Sequence, residues 1–167
     1  MKAIVCREYG SPDVLRLEEV EKPVPGAGEV LVKVYATSVN AGDWRVLRAD
    51  PFLVRLAFGF FKPKVSILGA DIAGMVEATG PGVTQFKVGD KVFGDISQHG
   101  FGGFAEYACV PEEPLALMPR NLYFEEGAAV PVGSVVALQA LRDAGKLQAG
   151  QKVLIYGASG GVGSFAV

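Results

Sequence analysis

The last sixteen residues constrain the fold more than any other stretch. Lys152–Val167 read KVLIYGASGGVGSFAV: an apolar run (Val153, Leu154, Ile155, Tyr156), a glycine cluster, then the opening of an apolar segment. The pattern predicts a buried parallel strand over 153–156, a tight turn over Gly157–Gly163 and the start of a helix. In a dinucleotide-binding turn, one glycine permits the sharp reversal and a second lets the backbone approach a pyrophosphate. A third lets the helix pack on the strand. The free N–H groups at the helix start then face the anion. Here Ala158-Ser159-Gly160-Gly161-Val162-Gly163 runs A-x-G-x-x-G, with alanine at the first position. Gly157, Ala158, Ser159, Gly160, Gly161, Val162 and Gly163 are therefore the candidate cofactor-binding residues. Glycine-rich turns also occur where nothing binds; the strand before and the helix after favour the nucleotide reading. Only one strand–helix step is present, so the rest of such a sheet is expected to be missing or supplied elsewhere.

The first 120 residues read differently. Short strands rich in β-branched residues alternate with Gly and Pro, without internal repeats or low-complexity segments. Lys2–Arg7, Val14–Val20, Glu29–Val39, a bent stretch over Ser66–Thr79, Lys91–Gly94 and Phe104–Val110 are the expected strands. Asp43–Arg48 is expected to form a short helical turn. This spacing favours a small β-barrel or sandwich. After Pro119 the composition turns rich in Ala and Leu, and Ser134–Ala144 carries Val135, Leu138 and Leu141 at helical spacing before Gly145. The fold class is thus mixed β and α/β: a β domain over 1–123 followed over 124–167 by the first βα unit of a second domain, cut after its first strand and turn.

Half of the 167 residues are hydrophobic and a fifth are charged, so a packed core is expected and disorder is not. The net charge is −2 without a block of Lys or Arg, which offers no footprint for a nucleic acid or an anionic membrane. The most apolar stretch, Pro51–Phe61, contains Arg55 and falls far short of the ~20 residues a membrane span requires. Two cysteines, Cys6 and Cys109, make no disulfide framework, and the amino terminus shows no apolar signal segment. A reduced, cytoplasmic setting is the expectation.

Six stretches in order carry a resemblance: PGAGEVLV (25–32), SVNAGDW (38–44), LGADIAGMV (68–76), VGDKVFG (88–94), GFAEY (103–107) and the terminal A-x-G-x-x-G. Together they resemble the medium-chain dehydrogenase/reductase superfamily, and within it the zinc-free quinone oxidoreductase branch. The resemblance implies a GroES-like β-barrel catalytic domain followed by a Rossmann domain that binds NADP as NADPH. It implies hydride transfer to a small-molecule quinone or α,β-unsaturated carbonyl. Zinc-dependent relatives place a cysteine where this chain has Asn40, a histidine where it has Ala70, and a third ligand where it has Val132. Amide, methyl and isopropyl groups do not replace the thiolate and imidazole ligands of catalytic zinc, so no metal is expected. Without a Lewis acid, the acceptor must itself delocalise the incoming charge. By the same resemblance Asn40, Asp43 and Trp44 are the candidate catalytic residues, with Asn40 beside the nicotinamide and bonding to ribose or acceptor oxygen.

Plainer readings stand beside these. Asn40 also suits the cap of a helical turn. Asp43 suits a first-turn acid complementing the helix dipole, and Trp44 suits an interdomain core. Asp71 is expected to be a buried, hydrogen-bonded structural carboxylate. The apolar stretch Phe52–Phe61 fits a lid over a lipophilic acceptor or a short helix packed on the barrel. His99, the only histidine, is expected in solvent. A different class of function also remains open: a non-catalytic GroES-like binding or assembly module, in which the uncovered apolar run at 153–156 pairs with another chain, including a second copy.

Overall fold

The β-branched run that begins at Glu29 forms a nine-residue strand paired on both sides. The computed structural model describes all 167 residues and contains seven strands. They are β1 (Lys2–Cys6), β2 (Leu15–Glu19), β3 (Glu29–Thr37), β4 (Asp71–Thr79), β5 (Lys91–Asp95), β6 (Tyr107–Pro111) and β7 (Leu115–Leu117). Five helical segments accompany them: α1 (Ala41–Arg48), α2 (Val54–Phe58), α3 (Phe124–Ala129), α4 (Pro131–Leu138) and α5 (Gly161–Ala166).

Strands β6-β3-β4-β5-β7 form one antiparallel sheet, and β1-β2 form a separate hairpin-like pair. The pair is pinned to the sheet's connections by bridges Ala3–Ala105 and Val5–Ile67. Alternation puts Val30 and Val32 of β3, Ile72 and Val76 of β4, Val92 of β5 and Val110 of β6 into one buried cluster. Each such aliphatic side chain contributes about 1.5–3 kcal/mol when fully withdrawn from water, so this cluster anchors the domain. A second cluster, Cys6, Val46, Leu47, Leu68, Ala70 and Phe101, glues α1 to the barrel. A third, Ala73, Met118 and Ala128, seats α3 on β4, and Phe124 stacks on Tyr35 with ring centroids 4.6 Å apart.

The mixed β and α/β class agrees with the sequence reading, and most strands fall where expected. Four details differ. Ser66–Thr79 becomes strand only from Asp71, because Gly69 sits at φ +100° and turns the chain. The short β7 pairs with β5 although its three residues carry too little pattern to be read. Helix α4 begins at Pro131, a residue suited to a first helical turn, and widens into a π-helix over Gln139–Ala144. Its buried face is Pro131, Gly133 and Ala137, so Val135 and Leu138, read as the apolar stripe, lie exposed.

The largest departure is at 153–156. The expected buried strand is absent: the segment is irregular, with Leu154 92% and Tyr156 100% exposed. A parallel strand exists only through hydrogen bonds to neighbouring strands, and within this chain none lies beside it.

Candidate functional site

The end of β3 and the start of α1 build the site. The chain leaves the sheet at Thr37, and Asn40, in extended conformation, precedes the first turn of α1. Asp43 closes that turn from below: its Oδ2 accepts the Asn40 backbone N–H at 2.7 Å and its Oδ1 accepts the Gly69 N–H at 3.0 Å. Burial, opposed by these backbone hydrogen bonds, raises the Asp43 pKa above the usual carboxylate value. Both oxygens of Asp43 thus serve the fold. The Trp44 ring lies apart from the cavity described below, partly exposed, with the Arg45 guanidinium 5.5 Å from its centroid.

Asp71, the first residue of β4, organises the other half. Its side chain is 1% exposed and accepts from Ser38 Oγ (3.2 Å), Asn40 Nδ2 (3.1 Å) and the Val132 backbone N–H (3.2 Å). Val132 lies in the first turn of α4, where a carboxylate satisfies free N–H groups and complements the helix dipole. Asn40 Nδ2 also donates to Ser38 Oγ at 3.0 Å. Burial, the largest influence, raises the Asp71 pKa to about 6, with the charge of Asp95 adding to it and the Val132, Asn40 and Ser38 hydrogen bonds opposing it. Near neutral pH the group is therefore mainly ionised and accepts only.

That charge state fixes the amide. Asn40 has two N–H donors, and Ser38 and Asp71 take both. The other polar atom, the acceptor Oδ1, takes part in the capping box with the Asp43 backbone N–H, and its second lone pair is what the amide offers a ligand. Of the two roles expected for Asn40, the geometry favours bonding to a hydroxyl or amide donor over donation to an acceptor oxygen.

A cavity of about 550 Å³ opens beside this network, lined by Asn40, Ala70 and Val132 with Phe58, Lys64, Asp95, Ser97 and Gln98 among others. The three positions to which the resemblance assigned the metal ligands of zinc-dependent relatives, Asn40, Ala70 and Val132, thus converge on one space. In this chain they present an amide, a methyl and an isopropyl group. The structure contains no group of three or more His, Cys, Asp or Glu residues arranged to hold a metal, and Asp71 and Asp95 alone do not make a zinc site. His99 is exposed at the end of a short 3₁₀ turn (Ser97–His99). Burial pushes the Cys109 thiol up to about 11, so it is not poised as a thiolate.

The glycine turn forms, although the strand before it does not. Gly157 has φ +76°, Gly160 N–H donates to the Gly157 carbonyl at 3.0 Å, and Gly160 caps α5. Gly163 packs so closely on the turn that a Cβ there would lie 2.1 Å from the Gly157 oxygen. That is the close helix-to-turn contact ascribed to the last glycine of the pattern. Ala158, Ser159 and Val162 complete the turn and the first helical residues. These residues do not line the cavity; α4 links the two regions. Its Val132 N–H is held by Asp71, while a Cβ on Gly133 would meet the Gly161 oxygen at 2.9 Å. The residues not singled out from sequence are Ser38, which completes the triangle with Asn40 and Asp71, and Lys64. A hydroxyl two residues before Asn40 was the available signal for the first; nothing local marked the second.

Comparison with known proteins agrees with this fold. Residues 26–120 match the alcohol dehydrogenase GroES-like domain. A quinone oxidoreductase of Lama guanicoe is 39% identical over 165 residues, covering 98% of this chain and 47% of the relative. A 2-methylene-furan-3-one reductase of Solanum lycopersicum is 37% identical over 178 residues, covering 100% of this chain and 43% of the relative. A mycobacterial protein solved in complex with NADPH superposes with a TM-score of 0.83 at 29% identity, covering 99% of this chain and 48% of that one. The chain spans about half the length of the curated relatives it matches. Barrel, motif order and matched residues together place this chain among the alcohol dehydrogenase GroES-like domains of the medium-chain dehydrogenase/reductase superfamily.

Proposed function

We propose that this chain is the catalytic domain and the opening of the cofactor domain of a zinc-independent, NADPH-dependent oxidoreductase acting on a quinone or an α,β-unsaturated carbonyl. Residues 1–123 form the catalytic part in this reading, and 124–167 begin the dinucleotide-binding part. The observation that carries it is the convergence of Asn40, Ala70 and Val132 on one cavity, with Asp71 behind them. The donor set is wrong for zinc and right for holding an organic cofactor by hydrogen bonds.

The residues fit a reduced nicotinamide dinucleotide. Asn40 Oδ1 can receive a ribose hydroxyl or carboxamide N–H, and Gly157–Gly163 supply the glycine turn and helix start for the diphosphate. Bound there, the nicotinamide supplies the hydride. Asp71 and Ser38 hold the Asn40 amide in one orientation. Lys64, Ser97 and Gln98 line the same cavity and are its side-chain donors towards an acceptor oxygen. Phe58, Val65 and Phe101 add apolar lining, which suits a lipophilic acceptor. NADPH rather than NADH follows the branch resemblance, and a reduced cytoplasm follows the cysteine usage.

The test is a polypeptide in which this chain continues through a complete dinucleotide-binding domain. It is expected to oxidise NADPH with a quinone at a rate that chelators leave unchanged; inactivation by chelation would overturn the zinc-free reading. In that protein Asn40→Ala is expected to raise the KM for NADPH about tenfold, the worth of one well-placed hydrogen bond. An unchanged KM would remove Asn40 from the cofactor site.

One observation favours a second reading for the 167 residues by themselves. The exposed apolar run at Leu154 and Tyr156 suits assembly with another chain. Fluorescence titration with NADPH separates the two: tight binding by this chain means that a partner completes the pocket, and none means that the chain alone is not an enzyme.

A further inference from the structure

The segment between α1 and β4 presents an apolar and basic face, and the proposed chemistry uses only its inner side, Phe58, Lys64 and Val65. Helix α2 is anchored from one side only: Val54 and Phe58 pack on the cluster of Val46, Leu47, Leu68 and Phe101. The Tyr9 hydroxyl donates to the Gly59 carbonyl at 2.7 Å, and the Arg55 guanidinium lies 4.6 Å from the Tyr9 ring. The other side carries Phe52, Leu53, Leu56, Phe60 and Phe61, all exposed, with Phe61 89% so. Three of them form a connected aromatic group, with ring centroids 5.8 Å apart for Phe52–Phe60 and 5.1 Å for Phe60–Phe61. Apolar groups of this kind on a folded surface mark interaction sites.

The charge around them selects the partner. Between Trp44 and Lys64 the chain carries five cations (Arg45, Arg48, Arg55, Lys62 and Lys64) against one acid, Asp50, although the chain as a whole is net −2. The whole-chain balance, which offered no footprint for an anionic membrane, conceals this concentration. Aromatic and leucine side chains interspersed along the chain with Lys and Arg suit the boundary between headgroups and acyl chains. No helix is long and apolar enough to cross a membrane, so the contact is with its surface.

We propose that this face, centred on Phe60, Phe61 and Lys62, docks the protein on bilayers that carry anionic headgroups. The docking stands on the patch and its charge. One extension rests on the function proposed above: Ala57, Phe58 and Lys64 of the same segment line the cavity beside Asn40, so a lipophilic acceptor dissolved in the bilayer could reach the cavity from the docked face.

The test is sedimentation of the 167-residue chain with vesicles of phosphatidylcholine, with and without phosphatidylserine. Binding is expected to the mixed vesicles, to weaken steeply with added salt, and to be at least about fivefold weaker on phosphatidylcholine alone, since each cation near an anionic surface is worth about that factor. Phe61→Ser and Lys62→Glu should each reduce binding about fivefold or more with thermal unfolding unchanged, because both side chains are exposed. Absence of binding, equal binding to both vesicles, or binding that survives both substitutions would overturn the proposal. So would a dimer that Phe61→Ser abolishes without vesicle binding, which would assign the face to a second copy. None of these outcomes depends on NADPH oxidation, so docking and chemistry can fail separately.

Discussion

Asp71 shows how one buried carboxylate sets the chemistry of its neighbours. Its pKa is raised to about 6, chiefly by burial. A carboxylate whose folded-state pKa lies above its unfolded value stabilises the fold fully below the unfolded pKa, and loses that contribution as pH rises through the folded one. The window therefore runs from about pH 4 to about pH 6, and the contribution is on the order of 1–3 kcal/mol. Urea unfolding of wild type and Asp71→Asn should show wild type losing up to that amount relative to the variant between pH 4 and 7. A constant difference would mean that Asp71 is not the titrating group. In the longer polypeptide of the proposed function, protonating Asp71 is also expected to free the Asn40 amide to rotate, so affinity for NADPH should fall below about pH 6. Gly69 is the other decisive residue. At φ +100° a Cβ would lie 2.6 Å from the Phe104 nitrogen, and the Gly69 N–H holds Asp43. Gly69→Ala is expected to cost roughly 2–4 kcal/mol by chemical denaturation. A loss below 1 kcal/mol would show that the loop relaxes. The glycine was legible in the sequence, but its backbone conformation and the nearby Phe104 backbone were not.

Among the elements, α4 joins the two halves of the candidate site. Its first turn gives the Val132 N–H to Asp71, and its Gly133 admits α5. Gly133→Ala sets two effects against each other. Alanine favours the helix by about 1 kcal/mol, while its Cβ would stand 2.9 Å from the Gly161 oxygen and 3.0 Å from the Phe165 ring. Overall stability should hold or rise, while amide exchange in Gly161–Ala166 accelerates. Unchanged protection of α5 would mean that the helices separate without loss. The strands of the barrel were legible because period-two alternation of β-branched residues is a local signal: Val30 and Val32 enter the core because β3 has two neighbours. The buried face of α4 was not legible. Pro131, Gly133 and Ala137 face inward because close backbone approach selects small residues there, whereas a periodicity argument rewards the larger Val135 and Leu138.

For the whole molecule, the barrel is self-sufficient and the carboxy-terminal segment is not. The barrel strands bury their cores against one another, while Val153–Tyr156 lies unpaired and exposed. Hydrogen exchange on the isolated chain should find β3 and β4 among the slowest amides and 153–156 unprotected. In a protein that supplies neighbouring parallel strands, 153–156 should become protected. Protection in the isolated chain would indicate self-association through this segment. By itself, the sequence determined the strand-built β domain, the mixed class and the absence of thiolate and imidazole at the three positions around the cavity, because alternation and residue chemistry are local properties. Only the tertiary structure decided that those positions share one cavity and that Asp71 and Ser38 take both donors of Asn40. It also decided that the apolar run before the glycine turn is not a strand here. Each of those facts is a relation between distant segments, and a strand exists only where another strand completes its hydrogen bonds.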